Sequence, residues 1–105
     1  MKIIYKKVPI LTIEDFADKH GLTMVVDERK KPVGDPDRYW AEFDHSEVGD
    51  GCILIGTYGN GATPEEAIDD YAGKIELKRL VINAFGENRT EIDVPRLIHK
   101  VKEGA

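Results

Sequence analysis

Residues 59–75 read GNGATPEEAIDDYAGKI, and the order of signals in this stretch sets the fold class. Thr63 is an N-cap residue, Pro64 suits the first helical position, and Glu66 three residues on completes a capping box. Behind that start, Ala67, Ile68, Tyr71, Ala72 and Ile75 recur at helical spacing and form an apolar stripe, while Asp69 and Asp70 fall on the outward side. Gly59 and Gly61 precede the cap, and the expected role for both is a tight turn with positive φ. The strand leading into that turn is expected over 52–58, around the apolar run CILIG.

Working outward, 12–21 predicts a first helix. Thr12 is its cap, Glu14 and Asp15 lie in the first turn where the helix dipole favours negative charge, and Gly21 suits the C-terminal left-handed position. Ile13, Phe16 and Ala17 share a face. Alternation predicts strands over 22–30 and 38–44, with Tyr39, Ala41 and Phe43 on one side of the latter and Trp40 and Glu42 on the other. The two are separated by KKPVGDPD, a loop by its prolines and glycine. HSEVGDG, 45–51, is expected as the next connecting turn. After the second helix, LVINAF and TEIDVPRL predict a C-terminal hairpin within 79–98, closed by GENR. The segment before the first helix predicts a short strand or arm over 2–10, and 99–105 a frayed end.

These elements predict an α+β two-layer sandwich: one antiparallel sheet with two helices on one face, an αβββα core over 12–75, and an added hairpin. With 105 residues the expected organisation is a single domain spanning 1–105. Hydrophobic residues at 41% and charged ones at 33% fit a folded chain rather than a disordered one. No apolar run approaches the ~20 residues of a spanning helix, so no membrane association is expected. Cys52 is the single cysteine, which excludes an intramolecular disulfide and fits a reducing, cytoplasmic setting. The net charge of −5 is uneven: residues 35–72 hold ten Asp and Glu against one Arg, whereas Lys and Arg gather toward both ends. Such a surface repels phosphate and attracts a basic partner.

FADKHGLTMVVDER, then RYWAEF, then ILIGTYGNGATPEEAIDDYAGKI resembles the double-stranded-RNA-binding domain over about 12–75. RYWAEF through GKI is also similar to HicB-type antitoxins, and the RTEIDVP run of 89–95 resembles small phage-encoded proteins. The first resemblance implies the αβββα fold. It also implies basic residues at the start of the second helix, gripping phosphates. The matching positions here are Pro64, Glu65 and Ile68, with Glu66 between them, so the charge is reversed and duplex RNA binding is not expected.

No catalytic, metal or cofactor set is expected from the residue pattern. The glycine turn at 59–61 lacks the length and lysine of a phosphate-binding loop. Asp44, His45, Glu47, Asp50 and Cys52 match neither zinc nor calcium spacing and read as a solvated turn, with Cys52 a small core residue at the start of a strand. The expected function is therefore a non-catalytic protein-binding module: a small phage or mobile-element accessory or inhibitory protein, anti-defence or antitoxin-like. Its expected partner is an unidentified protein of basic or nucleic-acid-binding character, and a homodimer is compatible with this reading. The expected partner-binding residues are Trp40, as an aromatic anchor, and Glu65, Glu66, Asp69 and Asp70. The alternative is nucleic-acid binding through basic termini and a loop, with Lys6, Lys7, Lys30, Lys31 and Lys100 as its residues.

Overall fold

The start of the second helix can be followed atom by atom in the computed structural model, which describes residues 1–3 and 11–98. Thr63 is extended, and its hydroxyl accepts from the Glu66 amide at 3.2 Å. The Glu66 carboxylate reaches one residue further back than a reciprocal capping box requires and accepts from Ala62 N at 3.0 Å. The helix that follows, α2 (Pro64–Ile75), buries Ala67, Tyr71, Ala72 and Ile75, as the stripe predicts. The earlier helix α1 (Ile13–His20) is capped by Thr12, whose hydroxyl accepts from Asp15 N at 3.1 Å, and it ends at Gly21 with φ 64°. It buries Ile13 and Phe16.

Among the described residues, nine short strands lie around the helices: β1 (Leu11–Thr12), β2 (Met24–Glu28), β3 (Tyr39–Phe43), β4 (Ser46–Asp50), β5 (Ile53–Ile55), β6 (Gly59–Gly61), β7 (Arg79–Ile82), β8 (Thr90–Asp93) and β9 (Leu97–Ile98). The chain is thus α+β, but its strands do not make one sheet. One antiparallel sheet has the order β2-β3-β6 and a second the order β5-β4-β7-β8, while β1 and β9 pair in parallel. The single αβββα sandwich expected from the sequence is replaced by this division. The expected C-terminal hairpin is present as β7 and β8, with Leu80 opposite Ile92. The arm expected over 2–10 and the frayed end expected over 99–105 lie outside the described residues, apart from positions 2 and 3.

Two readings explain the difference. The HSEVGDG segment, expected as a turn, is strand β4. Its glycines and acids resemble turn chemistry, yet Val48 is buried between Ile55 and Leu80 while Glu47 and Gly49 face the other way. The expected third strand over 52–58 shrinks to β5, which pairs with β4 across the Gly51–Cys52 turn. Gly51 has φ 62°, as the first position of a tight hairpin turn demands. Cys52 is accordingly an exposed turn residue and not a core one.

The place of third strand goes instead to β6, which pairs with β3 through Tyr39–Gly61, Trp40–Asn60 and Ala41–Gly59. Neither glycine has positive φ, so the expected turn role does not hold. What both supply is closeness. A Cβ on Gly59 would stand 2.7 Å from Tyr71 Cα and closer still to Ala67 O; one on Gly61 would stand 2.6 Å from the Glu66 carbonyl carbon. The strand lies flush on the backbone of α2, and only glycine fits there.

The bend between the sheets is at Asp44 and His45. Asp44 N still donates to Thr23 O in the first sheet at 2.8 Å, and His45 O already accepts from Asn83 N in the second at 2.9 Å. His45 makes the change of direction with φ 58°. Beneath the bend, Ser46 Oγ donates to Phe43 O at 2.6 Å and lies 3.1 Å from the buried Tyr71 hydroxyl. With the serine proton committed, the tyrosine is the donor of that second bond. Burial raises the Tyr71 pKa above the ordinary phenol value, which keeps the donor protonated. The Tyr71 ring stacks edge-on to Phe43 at 5.4 Å, and Phe16 lies 6.1 Å beyond. This aromatic row joins α1, β3 and α2 in a core that continues through Val48 and Leu80 of the second sheet.

Gly61→Ala is expected to lower stability by about 2–3 kcal/mol, because helix backbone rather than a movable side chain meets the added methyl. Gly86→Ala, whose Cβ would sit at 3.6 Å from its nearest neighbour, is expected to be neutral or stabilising by up to about 1 kcal/mol. Denaturant melts of the two variants measure the contrast.

Candidate functional site

Alternation along β3 sends Ala41 and Phe43 under α2 and leaves Trp40 and Glu42 on the open side of the sheet. Trp40, expected as an aromatic anchor, lies on that open side. Trp40 is half-buried, and the hollow of about 220 Å³ beside it is walled by Arg29, Glu42 and Tyr58, none of which belongs to the hairpin. Arg29 is held in place: its Nη1 donates to Asp37 O at 2.8 Å and to Asn60 Oδ1 at 2.7 Å. Its guanidinium carbon stands 5.7 Å from the centre of the Tyr58 ring, and Lys74 Nζ stands 6.0 Å from it. A partly exposed aromatic pair is thus fixed on a hydrogen-bonded floor.

Glu42 also lines a larger cleft of about 550 Å³, formed where the two sheets meet. Its walls are the bend, with His45 and Glu47, and the β7–β8 loop, with Phe85 and Glu87. Phe85 is 91% exposed on that loop, which is a conspicuous position for a phenyl ring. Three carboxylates follow one another along this side of the chain, at Glu42, Asp44 and Glu47. Desolvation by partial burial, and then repulsion from Asp44 and Glu47, raises the Glu42 pKa above the ordinary carboxylate value. The imidazole Nδ1 of His45 is 2.9 Å from Asp44 Oδ1. The open side therefore carries two hollows that share Glu42, one lined by Trp40 and Tyr58 and the other by Phe85, Glu47 and Glu87. Sequence reasoning missed Phe85 and Glu87 and read Glu47 only as part of a solvated turn, because they meet only through the division into two sheets.

The other expected residues lie elsewhere. Glu65 and Glu66 are exposed on the first turn of α2, and Glu66 is engaged with Ala62 N. Asp69 and Asp70, expected to point outward, are both half-buried. Asp70 Oδ2 accepts from Asn60 N at 2.8 Å and pairs with Lys74 Nζ at 3.0 Å, and that lysine also donates to Tyr58 O. Asp70 thus ties β6 to the helix. The four α2 carboxylates and Trp40 occupy different faces and do not form one site. Of the alternative basic set, Lys30 and Lys31 are exposed on the β2–β3 loop, and Lys6, Lys7 and Lys100 lie outside the described residues.

Among the described residues, no group of three or more His, Cys, Asp or Glu side chains is placed to hold a metal ion, and no helix is long and apolar enough to cross a membrane. No protein-family model matches the chain, and neither a curated protein nor a solved structure matches it significantly.

Proposed function

We propose that this chain is a non-catalytic protein-binding module, and that its groove between Trp40 and Phe85 receives a lysine- or arginine-bearing segment with apolar flanks. The observation that carries this reading is Glu42. It is partly desolvated, faces two further carboxylates, and has a raised pKa, so its ionised form is uncompensated in the free protein. A cation in the cleft relieves that repulsion, and Trp40, Tyr58 and Phe85 offer the aromatic surface that anchors protein partners. Electrostatic attraction of this kind speeds encounter and weakens as salt rises. The partner class it favours is a protein with a basic surface, including one that handles nucleic acid, and an inhibitory role at such a surface is the sharpest form of the proposal.

Trp40 is the sole tryptophan, so its emission reports on the groove directly. Titration with arginine-rich peptides that carry apolar flanks is expected to shift that emission, with affinity falling as salt is added. Trp40→Ala and Phe85→Ala should each weaken binding, followed by calorimetry, while Glu65→Lys leaves it unchanged. Binding that is indifferent to both aromatic substitutions would move the interface away from the groove.

Glu42 links the site to stability. Its folded pKa lies above its unfolded one, so its contribution is intact below the ordinary carboxylate value and is lost as pH rises through the raised pKa. Glu42→Gln should therefore raise the melting temperature at neutral pH and flatten the decline of stability across that window. The same change removes a charged acceptor, worth about 1.5–3 kcal/mol in a charge-assisted bond, and should weaken peptide binding by about ten- to a hundredfold. Thermal melts over a pH series, paired with the titration, measure both effects.

Duplex RNA is expected to give no mobility shift at near-physiological salt, because a phosphate approaching the start of α2 meets Glu65 and Glu66. Salt-sensitive binding at micromolar or lower concentration would reverse that expectation.

A further inference from the structure

Sheet edges are templates for pairing with another chain, and folded proteins commonly protect them with charge. Among the described residues, β2 carries Asp27 and Glu28, and β8 carries Glu91 and Asp93. A third edge, β6, is short and lies against α2, and β1 and β9 are two residues each. β5 has no such protection. It sits at the end of the β5-β4-β7-β8 sheet, within GCILIGTY, an eight-residue run over 51–58 without a charged side chain. Ile53 is 65% exposed and Ile55 45% exposed.

The register shows what is left open. Ile92, Leu80, Val48 and Ile55 stand opposite one another across four strands, and the first three are buried. The apolar row thus runs off the edge of the sheet at Ile55. The sequence of β5, Ile-Leu-Ile, reads the same in both directions. An antiparallel pairing of two such strands is self-complementary, as a two-fold interface requires.

We propose that β5 is a homodimer interface, at which two copies pair antiparallel with Leu54 facing Leu54 of the second copy. Ile53 then meets Ile55 of the other chain, and Ile55 meets Ile53, so that the apolar row continues across the two-fold axis. The two four-stranded sheets join into one, and the unpaired backbone groups of the edge find partners. The contact is small, so a dissociation constant on the order of 10 μM is expected. The inference rests on the edge alone and is independent of the groove, which the paired strands leave open in each copy.

Sedimentation velocity and light scattering over concentrations spanning that value test the proposal on the full chain. A concentration-dependent dimer is expected. Ile53→Lys and Ile55→Lys should each raise the dissociation constant by about tenfold or more, because each places an unpaired charge in the contact. Circular dichroism should be unchanged, and Ile53→Lys, at the more exposed site, serves if Ile55→Lys perturbs folding. In a Cys52→Ser background, Leu54→Cys should cross-link two chains on mild oxidation, since directly opposed Cα atoms of an antiparallel pair lie about 4.5–5.5 Å apart, within the span a disulfide bridges. A monomer at every concentration, or a dimer that survives both lysine substitutions, overturns the proposal. A dimer sensitive to lysine but inert to cross-linking at Leu54→Cys overturns the register.

Discussion

The contact between β6 and α2 is the constraint from which the remaining architecture follows. At Gly59 and Gly61 a strand rests directly on helix backbone, with no side chain between them. That leaves β3 paired on both sides, by β2 and by a strand of three residues. Residues 44–58, which join β3 to β6, find no place beside β3 and form structure elsewhere. They fold on themselves as β4 and β5, and β4 then offers its free edge to β7. The second sheet is thus a consequence of the first being closed by glycine. The Asp70 carboxylate and Lys74 reinforce the same seam, through Asn60 N and Tyr58 O.

The signals that depend on local chemistry were legible in the sequence. Both N-caps, the left-handed Gly21, the apolar stripes of the two helices and the alternation in β3 each rest on residues within one turn or one strand. What was not legible depends on distant pairing. Val48 alone gives β4 a weak alternating pattern, and its strand character comes from Ile55 and Leu80 on either side. Gly59 and Gly61 have the same composition in a turn as in a close-packed strand, and only the helix backbone opposite decides between them. Asp70 looks like a surface acid by helical periodicity; Asn60 N, ten residues earlier, makes it a structural one.

The same distinction governs how charge should be read. Counting acids along 35–72 finds a negative region but treats its members alike. In the fold they separate into groups with different energetics. Glu66 and Asp70 accept from backbone amides, which stabilises the folded chain and occupies those oxygens. Glu42 has the opposite character: burial and neighbouring carboxylates disfavour its ionised form. A charge that the fold does not compensate is one that a partner can. Sites of this kind hold strain that stable regions have relieved, and the cost is borne by the rest of the core.

The excursion through 44–58 also explains why aromatic and acidic groups accumulate where they do. A sheet of three strands in simple sequence would present one flat open face, with Trp40 at its middle. Splitting the strands introduces a bend at His45, and the bend turns Glu47 toward the same side as Glu42. The β7–β8 loop then rises beside them and carries Phe85 to the far wall. A concave surface arises from strands too short to make one alone. The same excursion ends in β5, whose edge carries no charged side chain. Among the described residues, the bend beneath the cleft and the β5 edge therefore both derive from the segment that the glycine contact displaces, and a change in that contact should disturb the two together.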